Sequence, residues 1–135
     1  MKASNALPVM LIDDEEHIRV AASQALDLAG YTVYAFERAE KALDVLSRDW
    51  PGAVISDIRM PGMDGMEFLQ RSQAIDPDLP IILITGHGDV SMAVEAMRAG
   101  AYDFIEKPFA VEDLVDTVGR ALDKRTLTME NRRLK

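Results

Sequence analysis

The chain has 135 residues, no cysteine and a formal net charge of −8, and 48% of its residues are hydrophobic. This length predicts one domain. The acidic balance lacks the basic surface typical of nucleic-acid binders, so we expect no direct nucleic-acid contact by this chain. The sequence contains no signal-peptide pattern and no run approaching the ~18 apolar residues of a membrane span, which predicts a cytoplasmic domain with no membrane partner.

Short apolar runs alternate along the chain with stretches of helical spacing. The runs that indicate strands occupy about residues 9–12, 31–36, 53–57, 81–85 and 101–106. Helical spacing indicates helices at about residues 15–29, 39–46, 65–76, 89–99 and from 111 onward. We expect Asp89 to cap the fourth helix. Alternating strands and helices predict an α/β fold with a parallel sheet between two layers of helices, and periodicity leaves the strand order open.

Charged and hydroxyl side chains follow the predicted strands at their carboxyl ends. Asp13 and Asp14 follow the first strand, Asp57 and Thr85 end the third and fourth, and Lys107 follows the fifth. Open parallel α/β sheets bind ligands outside the carboxyl ends of their strands. We therefore expect these five side chains to converge on one site.

This set of side chains suits phosphoryl transfer, in which positioning and charge neutralisation matter most. Asp57 is the candidate nucleophile, because a carboxylate can accept a phosphoryl group as an acyl phosphate. Mg²⁺ reduces the repulsion between two anions, and Asp13 and Asp14 offer the oxygen ligands that it prefers. Lys107 supplies a point charge for a phosphate oxygen, and Thr85 supplies a hydroxyl.

Each of these residues also has an ordinary structural explanation. An acidic pair often caps a helix, an aspartate often begins a turn, and a lysine beside a proline is usually a surface charge. Their joint occurrence at strand ends favours a functional site. The nearby glycines, Gly86 and Gly88, are a weak signal, because the lysine and hydroxyl residue of a phosphate-binding loop do not follow them.

Three segments together resemble the receiver domain of two-component response regulators. They read LIDDE at residues 11–15, SDIRMPGMDG at 56–65 and EKPF at 106–109, and the resemblance extends over about residues 9–122. It implies a flavodoxin-like fold with a five-stranded parallel sheet in the order 2-1-3-4-5. It also implies a regulatory phosphoacceptor domain rather than an enzyme, with at most slow self-phosphorylation and self-dephosphorylation.

The resemblance assigns roles to individual residues. It implies that Asp57 accepts a phosphoryl group from a sensor histidine kinase. Mg²⁺ is then held by Asp13, Asp14, Asp57 and the backbone carbonyl of Arg59. The side chains of Arg59 and His87 flank the path of attacking water in this family. Neither is an obvious water-activating acid, so we expect slow self-dephosphorylation.

The resemblance also implies a switch and a parent protein. Thr85 and Lys107 contact the phosphoryl group, and Thr85 with Phe104 forms the switch pair, although Phe104 lacks the hydroxyl of the commoner tyrosine. Residues 84–89 and 99–109 resemble the NtrC/DctD branch, whose members join a receiver to an AAA+ ATPase and a DNA-binding domain at sigma-54 promoters. We expect residues 1–123 to be the receiver and residues 124–135 to begin a helical linker to an output domain. The alternative is a frayed last helix.

Apolar residues outside the predicted core suggest a homodimer. We expect the interface on the fourth helix, the fifth strand and the last helix, and the alternative is that these residues complete the monomer core. The interface candidates are Val90, Val94 and Met97 on the fourth helix, and Val115, Leu122, Leu127, Met129 and Leu134 on the last helix.

Two other functions use some of the same residues. A haloacid-dehalogenase-type phosphatase also has an aspartate nucleophile, but it places that residue after the first strand with a second acid two positions on. Here the candidate, Asp57, follows the third predicted strand, and Arg59 stands two positions on. A receiver that never takes phosphate and serves only for dimerisation is the second alternative, and the complete set of site residues disfavours it.

Overall fold

The computed structural model describes residues 7–86 and 88–134, in which a five-stranded sheet is flanked by five helices. The strands are β1 (Pro8–Ile12), β2 (Thr32–Phe36), β3 (Ala53–Asp57), β4 (Ile81–Thr85) and β5 (Asp103–Glu106). The helices are α1 (Glu16–Leu28), α2 (Ala39–Val45), α3 (Gly65–Ile75), α4 (Val90–Arg98) and α5 (Val111–Arg133).

The sheet is parallel throughout and has the order β2-β1-β3-β4-β5, which confirms the predicted fold and strand order. The three inner strands are almost wholly buried, whereas β2 and β5 at the edges are partly exposed. Strands covered on both faces are typically continuous apolar runs, as these three are. The carboxyl ends of β1 and β3 lie side by side where the strand order reverses, which is the usual position of a ligand site in this architecture.

The helices cover the sheet in two layers, each with its own hydrophobic core. One core is formed by α2, α3 and α4 against the sheet, and its helical members include Ala39, Ala42, Phe68, Leu69 and Ala96. The other lies beneath α1 and α5 and includes Ala22, Leu26, Leu114, Val118 and Ala121. In the described part of the chain, no helix combines the length and the apolar character needed to cross a bilayer.

Two local predictions were wrong. Strand β5 begins at Asp103 rather than at residue 101, because the Ala101 N–H bonds to the carbonyl of Ala96 in α4. Asp89 occupies the N-cap position of α4, but its carboxylate accepts no capping hydrogen bond. The reason is that Asp89 forms an ion pair with Arg59 instead.

Helix α5 continues without interruption through residues 124–133 and stays attached to the domain. The Arg125 side chain is fully buried and lies 2.8 Å from Asp76, measured from Nη2 to Oδ2. The Arg132 Nη2 lies 2.8 Å from the other carboxylate oxygen of Asp76. Arg125 also donates to the carbonyl of Trp50. This cluster holds the end of α5 against the α3–β4 and α2–β3 connections.

The predicted outer face of α4 is exposed, since Val90, Val94 and Met97 are 61%, 45% and 39% exposed. On α5, Leu127 and Leu134 are also exposed. Leu122 is buried in the core beneath α1 and α5, so its prediction as an interface residue was wrong. A seven-residue spacing could not reveal this, because one stripe of α5 serves the core and a neighbouring stripe faces outward.

Candidate functional site

Two adjacent strands bring the predicted carboxylates together. Strand β1 leads into Asp13, which is fully buried, and Asp14, which is exposed, while β3 ends at Asp57, which is 5% exposed. The two strands are paired as far as Ile12 and Ser56, so their carboxyl ends meet at one edge of the sheet. Carboxylate oxygens of the three aspartates lie within 4.8 Å of one another. This confirms that Asp13, Asp14 and Asp57 converge.

The ammonium group of Lys107 lies among these acids. Its Nζ is 3.1 Å from Asp57 Oδ2 and 3.9 Å from Asp13 Oδ2. Its shortest ion pair is with Glu15, at 2.8 Å. Glu15 was not among the predicted site residues, although the acid pair directly before it was a signal that it lies near the site. Lys107 is thus shared among three carboxylates, and the peptide bond that follows it, to Pro108, is cis.

Burial perturbs the ionisation of the site. Removal from water raises the pKa of Asp13 to about 6, although the backbone N–H of Glu15 opposes this and the charge of Asp57 adds to it. Burial also raises the pKa of Asp57, against the opposing effect of its hydrogen bond from Lys107. For Lys107, burial favours the neutral amine, but hydrogen bonds to Glu15 and Asp57 outweigh it and hold the pKa well above its usual range. The neighbouring groups therefore only partly stabilise the charged forms of Asp13 and Asp57, whereas Lys107 stays protonated.

The donor set fits a divalent cation. One buried oxygen of Asp13, Oδ2, has no hydrogen-bond partner within the described residues. Clustered carboxylates repel one another, and a hard cation such as Mg²⁺ takes oxygen ligands of this kind, typically with one or two carboxylates. Asp13, Asp14 and Asp57 could hold such an ion. The Arg59 N–H donates to Asp57 Oδ1 at 3.3 Å, which places that backbone beside the carboxylates, and the role of its carbonyl stays a prediction.

The predicted switch residues lie on β4 and β5. Thr85 ends β4 and is 2% exposed, one residue beyond Ile84, which is paired with Asp57. Phe104 lies in β5 opposite Leu83, so it shares a sheet face with Thr85. Phe104 is 37% exposed. Thr85 is thus buried next to the strand that carries Asp57, and Phe104 lies at the surface on the side of α4.

The site opens to solvent as a cleft of about 330 Å³, lined by Asp14, Glu15, Asp57, Arg59, Gly86 and Lys107. The Arg59 guanidinium reaches from the loop after β3 to Asp89 in the loop after β4, with Nε 3.0 Å from Oδ2. The sequence predicted that the Arg59 carbonyl binds the metal ion and that its side chain flanks the path of attacking water. It did not predict the ion pair with Asp89. His87 lies outside the described residues, and its predicted position stays untested.

The sequence matches the response regulator receiver domain family over residues 9–119. The chain belongs to this family. Membership makes it a regulatory phosphoacceptor domain by class rather than an enzyme in its own right. Receiver domains work with histidine kinases and bind Mg²⁺ at an acidic pocket, and Asp13, Asp14 and Asp57 form such a pocket here.

Relatives of this receiver domain are transcriptional regulators. The chain is 57% identical to the C4-dicarboxylate transport transcriptional regulatory protein DctD of Pseudomonas aeruginosa, covering 94% of this chain and 28% of that protein. It is also 57% identical to DctD of Rhizobium meliloti, with 98% and 29% covered. The receiver domain therefore spans less than a third of these two relatives. The resemblance to the NtrC/DctD branch is confirmed, since NtrC of Klebsiella pneumoniae is 40% identical over 83% of this chain and 24% of that protein.

Solved structures share the fold. The NtrX structure from Brucella abortus in complex with ADP superimposes with a TM-score of 0.86 at 36% identity, covering 96% of this chain and 30% of that one. Full-length FixJ from B. japonicum gives a TM-score of 0.80 at 41% identity, with 91% and 61% covered. These matches agree with the fold observed here.

Proposed function

We propose that this receiver domain accepts a phosphoryl group on Asp57 from a sensor histidine kinase, in a reaction that depends on Mg²⁺. The proposal rests on the position of Lys107, whose amine lies among the carboxylates of Asp13, Glu15 and Asp57. Its charged amine lies 3.1 Å from the buried Asp57 carboxylate, and carboxylate oxygens of Asp13 and Asp14 lie within 4.8 Å of an Asp57 oxygen. A carboxylate used only for structure would not need a buried, repulsive acid cluster around it.

In the proposed reaction, an oxygen of Asp57 attacks phosphorus as the bond from phosphorus to the donor nitrogen breaks, and the donor imidazole leaves with that electron pair. Lys107 stays protonated, as its raised pKa requires, and it pairs with a phosphoryl oxygen. Thr85 donates its hydroxyl to another oxygen. Asp13 and Asp14 hold the metal ion. Mg²⁺ supplies charge neutralisation between the attacking and the transferred anions.

Intact mass spectrometry after incubation with acetyl phosphate and Mg²⁺ tests this proposal. We expect one phosphoryl adduct on the wild-type protein and none on Asp57→Asn, which keeps the shape of the side chain but removes the nucleophile. Asp44→Asn is the matched control, because Asp44 is exposed on α2. An adduct on Asp57→Asn at the wild-type rate would refute the assignment. Turnover without a stable adduct would instead favour a phosphatase, and the absence of any reaction would favour a module used only for dimerisation.

We also propose that phosphorylation changes the surface formed by α4, β5 and α5, and that this surface pairs two copies of the chain. Val90, Val94, Met97 and Phe104 are all more than a third exposed on this surface. Exposed apolar side chains clustered on one surface are typical of interaction sites. Val94→Glu should weaken a dimer in sedimentation experiments. Val20→Glu is its control, since Val20 is equally exposed but lies on α1. Monomers at high concentration, with and without a phosphoryl analogue, would exclude the dimer.

The parent protein is proposed from the relatives. DctD and NtrC are named as transcriptional regulators, and this chain covers only their receiver portion. We propose that residues 124–135 lead to an output domain that activates transcription at sigma-54 promoters, inside the cytoplasm. Sequencing the gene beyond codon 135 tests this directly. An open reading frame that ends there would contradict it.

A further inference from the structure

An ion pair spans the mouth of the site and joins two of its loops. The Arg59 guanidinium binds Asp89 through two hydrogen bonds, Nε to Oδ2 at 3.0 Å and Nη2 to Oδ1 at 3.2 Å. Arg59 lies two residues after Asp57 and lines the same cleft as Lys107. Its side chain is 68% exposed, so solvent screens the pair and no packing prevents the guanidinium from changing partner.

The same ion pair engages the carboxylate that stands at the N-cap position of helix α4. Asp64 and Asp89 occupy the N-cap positions of α3 and α4, respectively. The Asp64 carboxylate accepts the N–H of Glu67 at 2.9 Å, as an N-cap residue normally does. The Asp89 carboxylate makes no such bond, and its backbone ψ is 43°, compared with 177° at Asp64. Asp89 thus has the residue type and the position of a cap, and Arg59 holds its carboxylate elsewhere.

We propose that Arg59 is a phosphoryl-positioning residue and that Asp89 occupies its guanidinium until the phosphoryl group arrives. This inference rests on the proposed phosphorylation of Asp57. In the phosphorylated protein, Arg59 exchanges the Asp89 carboxylate for phosphoryl oxygens, which carry more charge and match the planar guanidinium equally well. Asp89 then turns to the free N–H groups at the start of α4 and caps the helix.

The exchange connects the chemistry to the exposed surface. Capping requires the Asp89 backbone to move from its present conformation toward the extended one seen at Asp64. Helix α4 begins at the next residue, Val90, and carries Val94 and Met97 on its outer face. A change at Asp89 is therefore transmitted to the first turn of the helix that presents those side chains.

The test measures binding of beryllium fluoride, a phosphoryl analogue, by NMR titration in the presence of Mg²⁺. Arg59→Gln should weaken binding by about tenfold, because it removes a charge-assisted contact. Asp89→Asn should tighten binding by about two- to fivefold, because it frees Arg59 from an exposed ion pair. When Arg59→Gln is already present, adding Asp89→Asn should not tighten binding of the analogue, because Asp89 affects binding only through Arg59. Arg71→Gln is the control, because Arg71 forms an exposed pair with Glu67 on α3, away from the cleft.

The same spectra report the cap. In the wild-type protein, the amide proton of Met92, the third residue of α4, should move downfield as the analogue binds, and Asp89→Ala should abolish that shift. Weaker or unchanged binding by Asp89→Asn, or normal binding by Arg59→Gln, would overturn the inference while leaving the phosphoacceptor proposal intact. A wild-type protein that binds no analogue and gains no phosphoryl mass would overturn both.

Discussion

Replacing Arg125 with methionine tests how firmly the end of α5 belongs to the receiver domain. The substitution keeps most of the aliphatic volume but removes the charge from a side chain that is fully buried. It leaves Asp76, which is also fully buried, with only the partly exposed Arg132 as an ionic partner among the contacts of this cluster. It also removes two hydrogen bonds to the Trp50 carbonyl, at 2.7 and 3.0 Å.

Removing one partner of a buried ion pair typically costs about 3–5 kcal/mol when the other charge stays buried without compensation. Arg132 still compensates part of the Asp76 charge, so we expect Arg125→Met to lower the free energy of unfolding by about 3 kcal/mol and the melting temperature by roughly 10 °C. Arg132→Met should cost only about 1 kcal/mol, because water can reach the vacated position.

Urea and thermal unfolding followed by circular dichroism measure both quantities. Arg120→Met is the matched control, since Arg120 lies on the same helix and forms an exposed pair with Asp116. It should change stability by less than about 0.5 kcal/mol. The reasoning fails if Arg125→Met stays within about 1 kcal/mol of the wild type, or if the control costs as much as Arg125→Met does.

Three further predictions follow from the charges. Burial alone would raise the pKa of Asp76, but hydrogen bonds from Arg132, the Asp78 N–H and Arg125 lower this pKa to about 2. The Asp76 carboxylate therefore contributes roughly 2 kcal/mol of stability above pH 4, and this contribution is lost as pH falls toward 2. The free energy of unfolding measured as a function of acid pH should show this loss, and a flat profile would contradict it. Mg²⁺ should raise the melting temperature of the wild-type protein, and should raise that of Asp14→Ala by less. The affinity of the protein for Mg²⁺, measured by calorimetry, should decrease below about pH 6 because Asp13 takes up a proton. A chain cut after Leu122 loses both arginines and should melt well below the full chain, whereas equal melting would show that the cluster contributes nothing.

Much of the fold was determined by the sequence. Inner strands buried on both faces need continuous apolar runs, so β1, β3 and β4 could be located from the apolar runs in the sequence. Alternation of strands and helices then required parallel strands, and parallel strands place their carboxyl ends at one edge. The convergence of Asp13, Asp57 and Lys107 could be derived in this way from the sequence, whereas the strand order came from the resemblance.

Tertiary structure alone decided which charges pair. Lys107 bonds to Glu15 as well as to Asp57, Arg59 takes Asp89 away from its helix, and Arg125 pairs with a carboxylate 49 positions earlier in the chain, Asp76. Periodicity records which face of a helix or strand is apolar, and it carries no information about where a long charged side chain ends. Such partners depend on the packing of separate elements and on the removal of the charges from water, and both exist only once the chain has folded.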